Sequence, residues 1–514
     1  MIRHLSFALP ALSLLAILLH AQGVSTRNAP AAPRLAPSGR PFLASFTDVA
    51  ARAGLTHPVT VGNPTNKKYI IEANGTGLAA FDYDNDGWLD LFVVTGSRLE
   101  GFGNTRPPTN RLYRNLGNGT FADTTEKAGL ARSGWGNGVC VADIDNDGDD
   151  DVYVTYWGPN LLFLNDGKGA FTEAAATLGI AGPAKEWSSG CTFFDYDADG
   201  RLDLLVTSYQ RFDLATTPPP GKASNCEWKG MPVFCGPRGL PFGRVALFRQ
   251  KPDGTFEDTT AAAKLADAPQ TYAFTPVAAD LNADGFTDIY IASDSTPSIF
   301  FRNDKNGSFR ELGTETGLAF NEHGHEQGGM GVGVGDFNRD GLLDLVKTNF
   351  AGDHPNLYRN TGDGLFEDVV LMAGLAVNPQ YVGWGVAMLD LDNDGWQDIF
   401  QVNGHVYPEL KGEPGQESYR QQRLVYRNLG DGRFEDVSTL AGPGILARHS
   451  SRGAAFADFD NDGDLDAAVM NMGEPPSLLQ NTLRGTSKWI KVTLQGTQAN
   501  RSAIGATVTI EAAG

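Results

Sequence analysis

The chain has 514 residues, of which 41% are hydrophobic, so a substantial core is within its reach, and its formal charge is −20. That acidity excludes nucleic acid as a partner, because phosphate contact needs a basic surface. Length alone suggests two to four ordinary domains, an expectation that the internal repeat overrules.

At the start, Arg3 and His4 precede an apolar run from Leu5 to Leu19 and the small residues Ala21 and Gly23, which reads as a cleavable secretory signal over residues 1–23. The run is short for a membrane span, so no stable span is expected in the mature chain. The first cysteine is Cys140, too distant for a lipoprotein anchor. The expected location is therefore outside the cytosol: secreted, periplasmic or at the cell surface. Residues 24–42 are rich in Ala, Pro, Arg and Ser and read as a flexible leader.

From residue 43 to 483 one acidic loop recurs seven times. Its candidate metal ligands are Asp82, Asp84, Asp86 and Asp90 in DYDNDGWLD, Asp143, Asp145, Asp147 and Asp151 in DIDNDGDDD, and Asp195, Asp197, Asp199 and Asp203 in DYDADGRLD. They continue with Asp280, Asn282, Asp284 and Asp288 in DLNADGFTD, and with Asp336, Asn338, Asp340 and Asp344 in DFNRDGLLD. The last two sets are Asp390, Asp392, Asp394 and Asp398 in DLDNDGWQD, and Asp458, Asp460, Asp462 and Asp466 in DFDNDGDLD. Oxygens at the first, third, fifth and ninth positions can converge on one hard cation, and Gly at the sixth permits the sharp reversal. An oxygen-only set suits Ca²⁺ rather than zinc or copper. Seven such ions would bring the charge from −20 to about −6.

An EF-hand shares the first nine positions but needs Glu at the twelfth and a helix on each side. Here the twelfth residues include Val93, Val154 and Val206, and β-branched or aromatic runs follow (LFVV, DVYVT, DIYIA). A strand closes the loop, not a helix. Gly- and Ala-rich apolar stretches such as GTGLAAF and GMGVGVG precede the loops, as expected of strands crowded at an axis. Third and fourth strands follow around Asn-Gly and Asp-Gly turns, as in LYRNLGNGTFADT and VYRNLGDGRFEDV.

Four antiparallel strands per unit make one blade. The expected fold is all-β: a seven-bladed β-propeller with calcium-binding hairpin loops over residues 43–483, followed by the start of a small second β domain over 484–514. An unpaired fourth-strand motif, FTDVAARAGL at Phe46–Leu55, should complete the last blade and close the ring. Cys226 and Cys235, in a Pro/Gly-rich insertion between the third and fourth loops, are the expected disulfide. Cys140 and Cys191 are either a second bridge or buried thiols.

These residues resemble the FG-GAP or VCBS-type repeats of integrin α-chain propellers, and more closely the secreted proteins that carry an ASPIC and UnbV domain, the cartilage acidic protein-like group. The likeness rests on FTDVAARAGL, CEWKGMPVFCGPRGL, YVGWGVAMLDLDNDGWQD, VNGHVYPEL and NTLRGTSKWIKVTLQGTQANRSAIGATVTI. The last phrase looks like the opening of the ASPIC and UnbV domain, with Asn500, Arg501, Gly505 and Ala506 at matching positions, so residues 484–514 are expected to hold an incomplete copy of it. The resemblance implies an extracellular propeller with Asp-rich calcium hairpins.

Polar groups near the inner strand ends could line a ligand funnel: His323, His325, Glu326 and Gln327, then Asn403, His405, Tyr407 and Glu409, then Arg448, His449 and Arg452. The alternative is that they are loop residues satisfied by backbone or solvent. Two functions follow. One is a non-enzymatic binding or adhesion module for a glycan or extracellular protein, with Ca²⁺ (up to seven ions) in a structural role and no residue assigned to catalysis. The other is a carbohydrate-active lyase or dehydratase using the His/Glu set, favoured if His323, His405 and Glu409 converge in one deep pocket. No HExxH, phosphate loop or nucleophile elbow supports catalysis.

Overall fold

The computed structural model describes residues 29–223, 225–412, 416–484 and 489–509. The signal expected over 1–23 lies outside the described residues.

Each acidic loop joins two antiparallel strands, as its Gly and its following β-branched run dictate. In the first unit Leu78–Phe81 pairs with Asp90–Val93, which pairs in turn with Arg111–Asn115 and Phe121–Asp123. The second strands, such as Asp151–Tyr156 and Asp203–Gln210, are buried along their whole length, because neighbouring units cover both of their faces.

The sheets correct one expectation. Instead of seven separate blades, the described residues form five four-stranded sheets, one eight-stranded sheet and, in the insertion, a two-stranded ribbon of Glu227–Trp228 with Met231–Pro232. The cause is the strand Asp288–Thr296, which at nine residues overshoots its own hairpin partner. Its end pairs with the first strand of the next unit, Asp294 opposite Gly328 and Thr296 opposite Gln327, and so joins the two units.

The N-terminal strand Thr47–Asp48 pairs with Ser477–Gln480 and completes the last unit. Phe46 beside it is fully buried and meets Phe400 edge to face, 5.6 Å between centroids. A second closure is made by side chains. A third-strand amide in each unit donates to the carbonyl of the second loop residue in the unit before it: Asn165 to Tyr83, Gln250 to Ile144, Asn303 to Tyr196, Asn360 to Leu281 and Asn428 to Phe337, all at 2.8 Å, and Asn481 to Leu391 at 3.0 Å. Asn115 of the first unit reaches Phe459 of the last, again at 2.8 Å. The seven bonds form a closed cycle.

Glycine lets the first strands crowd at the axis. A Cβ on Gly138 would stand 2.8 Å from the Ser189 carbonyl of the next unit, one on Gly453 would stand 3.0 Å from the Thr76 carbonyl, and one on Gly331 would overlap the Trp384 carbonyl.

Residues 29–42, expected as a flexible leader, are instead tied along the outer edge of the fifth and sixth units. Ala29 and Ala32 donate to Gly352 and Ala376, Arg34 pairs with Asp436, and Arg427 donates to the carbonyls of Arg40 and Pro41. Residues 489–509, within the stretch expected to open a second β domain, contain no strand. Ile490, Val492 and Leu494 are exposed, with no layer to pack against. The segment's polar contacts go to acidic loops, Lys491 to Asn461 in the seventh and Arg501 to Asn146 and Asp147 in the second.

Candidate functional site

The seven acidic loops share one backbone design. The first Asp accepts from the amides of the fifth and sixth residues, as Asp82 does from Asp86 and Gly87 at 3.0 and 2.7 Å. The fifth Asp accepts from the seventh amide, as Asp86 does from Trp88 at 3.0 Å. The fourth residue is left-handed in every loop: Asn85, Asn146, Ala198, Ala283, Arg339, Asn393 and Asn461 have φ between 53° and 60°.

The ninth Asp does more than the sequence suggested. Both of its oxygens accept main-chain N–H groups, one from the second loop residue and one from the third strand: Asp90 from Tyr83 and Asn115, Asp398 from Leu391 and Asn428. It clasps the loop to the sheet. Burial, with like charge from the loop adding to it, pushes Asp90 up to about 7 and Asp151 and Asp466 up to about 8.

In four loops the third-position Asp takes no part in the turn, whereas Asp145 accepts from the Asp147 amide at 3.3 Å. The Oδ1 atoms of Asp84, Asp197, Asp392 and Asp460 are buried and have no hydrogen-bond partner. Among the described residues five loops bring three carboxylates within 4.8 Å of one another: Asp82/Asp84/Asp86, Asp143/Asp145/Asp151, Asp195/Asp197/Asp199, Asp390/Asp392/Asp398 and Asp458/Asp460/Asp466. This donor set fits a divalent hard cation. The other two loops have Asn282 and Asn338 at the third position, and both amide oxygens accept from the fifth residue's N–H. Guanidinium groups already face two of the carboxylate sets, Arg114 on Asp84 and Asp86 and Arg249 on Asp197 and Asp199.

The candidate funnel residues do not come together. His323 and His325 are exposed, with His323 3.6 Å from Glu322, and Glu326 pairs with Arg238 at 2.6 Å. Glu409 is exposed. His449 bonds Glu474 at 2.5 Å. His405 and Tyr407 are buried under the insertion, where Trp228 lies 5.7 Å from the His405 ring and Phe234 lies 4.9 Å from the Tyr407 ring. Glu417, which no sequence pattern marks, ties this cover down: it accepts from Trp228 Nε1, Lys229 Nζ and His405 Nε2 at 2.5, 2.5 and 3.1 Å. Burial alone would raise Glu417, but the bonds from His405 and Lys229 outweigh it and hold the group at about 2. Burial lowers His405, against the opposing pull of the Glu417 carboxylate.

Below the cover, the axis holds a cavity of about 270 Å³ walled by first-strand residues. Arg452 in its wall is buried, lies 4.2 Å from the Trp384 ring, and donates to the carbonyls of Ala73, Gly404 and Ser451. It fastens loops rather than presenting a charge. Two disulfides are present. Cys226–Cys235 staples the insertion, as expected, and Cys140–Cys191 joins the first strands of the second and third units, the possibility that the sequence left open.

The FG-GAP-like repeat family matches residues 82–154, 143–206, 233–291, 280–346 and 418–469, which together span more than half of the chain. The chain belongs to the FG-GAP-like repeat family. Among curated proteins it is similar to cartilage acidic protein 1 of Mus musculus and of Homo sapiens, 26% identical over 411 residues in each case, or 69% of this chain. That match spans 61% and 59% of those proteins, so this FG-GAP chain covers about three fifths of their length. A solved chain from work on recognition of non-reducing terminal N-acetylglucosamine by an Agrocybe aegerita lectin matches at 17% identity and a TM-score of 0.38, over 78% of this chain and 86% of that one. No helix among the described residues is long and apolar enough to cross a membrane.

Proposed function

We propose that this FG-GAP protein is an exported, calcium-stabilised propeller that acts as a non-enzymatic binding or adhesion module for a glycan or an extracellular protein. Counting the eight-stranded sheet as two joined blades gives a ring of seven, consistent with the seven-membered cycle of amide bonds. Calcium would be held first by the five carboxylate sets, in four of which an orphaned third-position oxygen favours a cation; the ion would supply charge neutralisation and rigidity.

The observation that carries the binding reading is the burial of His405 and Tyr407 under Trp228 and Phe234. It removes the central His from solvent and from the exposed His323 and Glu409, leaving rim loops and grooves as the reachable surface. Export is supported by the two disulfides. The test is a screen of the mature chain against glycan and extracellular-protein arrays in calcium and in EDTA. A ligand retained unchanged is expected; cleavage or dehydration of a bound saccharide would overturn the reading.

A further inference from the structure

At the end of the first unit opposite its acidic loop, the crossover of residues 94–110 and the segment 57–60 enclose a cavity of about 370 Å³. Its wall carries Arg98, Arg106, Arg111 and His57 and no carboxylate, on a chain whose formal charge is −20. Two of the guanidinium groups are already committed, Arg106 to Glu126 at 3.0 Å and Arg111 to Asp123 at 2.9 Å. Arg98 is not. Its guanidinium stands 5.5 Å from the centre of the Phe102 ring, and its buried Nε has no hydrogen-bond partner. The neighbouring acid Glu100 accepts instead from Asn63 Nδ2 at 3.1 Å.

A cationic donor held in place by an aromatic ring and left without an acceptor is a built receptor for an oxyanion, and the planar guanidinium suits a carboxylate or sulfate best. The cavity is larger than one such group needs. Beside Arg98 it offers the Phe102 ring, with Pro58 and Pro108, and the hydroxyls of Thr60 and Thr109, an apolar wall with a few placed polar groups; Tyr113 lies buried behind it. We propose that it binds the carboxylate or sulfate of an acidic saccharide, with Arg98 as the pairing cation and the rest of the sugar against the apolar wall. This rests on the glycan-binding reading above and names the class of glycan.

Saturation-transfer NMR on the full mature chain tests it with glucuronate, glucose 6-sulfate and glucose, and with inorganic sulfate added as a competitor of the two acidic sugars. Both acidic sugars should show saturation transfer and glucose none. Arg98→Ala should weaken the acidic sugars about tenfold or more, and Arg98→Lys should restore part of the loss. The two acidic sugars also separate carboxylate from sulfate as the preferred anion. Equal signals from glucose, unchanged binding by Arg98→Ala with its melting temperature retained, or acidic-sugar signals that excess inorganic sulfate leaves unchanged would each overturn the proposal. A neutral glycan or protein ligand from the array screen whose binding survives Arg98→Ala would sink this inference while leaving the binding module intact.

Discussion

Asn115 donates its Nδ2 hydrogen to the main-chain carbonyl of Phe459 at 2.8 Å, across 344 residues of sequence. The same amide reaches the Leu89 carbonyl, and its Oδ1 accepts from Gly117. Asn115→Ala would strand buried groups in two units and should cost about 1–3 kcal/mol for each one left unpaired. Asn104→Ala, exposed in the crossover, should change stability by less than about 0.5 kcal/mol. Equal melting temperatures for the two variants would refute the role given to the cycle.

At the axis the expectation is steric. Gly331→Ala pushes a methyl group into the Trp384 carbonyl and should destabilise by about 1–3 kcal/mol. Gly77→Ala, with 3.3 Å to the Asn137 carbonyl, should be clearly milder. Thermal unfolding orders the pair.

The left-handed fourth loop position offers a gain. Ala283, at φ 55°, adopts a conformation that Asn and Gly tolerate better. Ala283→Asn should raise stability by about 0.5–1 kcal/mol, read as a higher melting temperature. No rise would mean that the loop does not hold this backbone in solution.

For calcium, Asp392→Asn should lower bound metal by about one ion per chain, counted by atomic emission after dialysis. With extracellular-type affinities of about 10⁻⁴ to 10⁻³ M and about 1 mM free calcium, each ion adds roughly 0.4–1.4 kcal/mol. Asp398→Asn should cost more even in EDTA, because both Asp398 oxygens also accept main-chain N–H groups. Identical melting temperatures in EDTA and in calcium would remove the structural role assigned to the ions.

The cover over the axis should be acid-sensitive. Glu417 ionises at about 2 in the folded chain, below its usual 4.5, so the folded state holds the carboxylate more strongly than the unfolded one. Its stabilisation is complete above about 4.5 and is lost as pH falls from there towards 2. Trp228 fluorescence, followed against pH, should report release of the insertion in that window. In Glu417→Gln the transition should vanish; an unchanged acid profile would discount the clasp.

The repeat was legible because its chemistry is local. Fixed Asp and Gly positions dictate a turn, and alternating apolar runs dictate strands, so the propeller and the completing strand at Thr47 could be read directly. The merging of two units could not, since it depends on how far the strand ending at Thr296 runs past its hairpin. The docked leader was hidden for a related reason: Arg34 and Ser38 look like solvated residues until Asp436 and Glu435 face them. At the site, His405 was read as a funnel residue because the burial that Trp228 and Glu417 impose comes from 177 residues before it and 12 after it. The duty of the third-strand Asn was missed although the RN pair recurs in the sequence, because its acceptor belongs to another unit.

The pairing of Thr47–Asp48 with Ser477–Gln480 makes the order of events during synthesis matter. The partner of Thr47–Asp48 is made only after all the units between them, so the earlier units must wait as an open arc with two bare flanks. Sealing that arc is a long-range step, slow by its nature and exposed to misassociation while it is pending. Folding of this protein should therefore show a late phase, sensitive to chain concentration, that disappears when residues 43–48 are supplied next to the last unit by circular permutation.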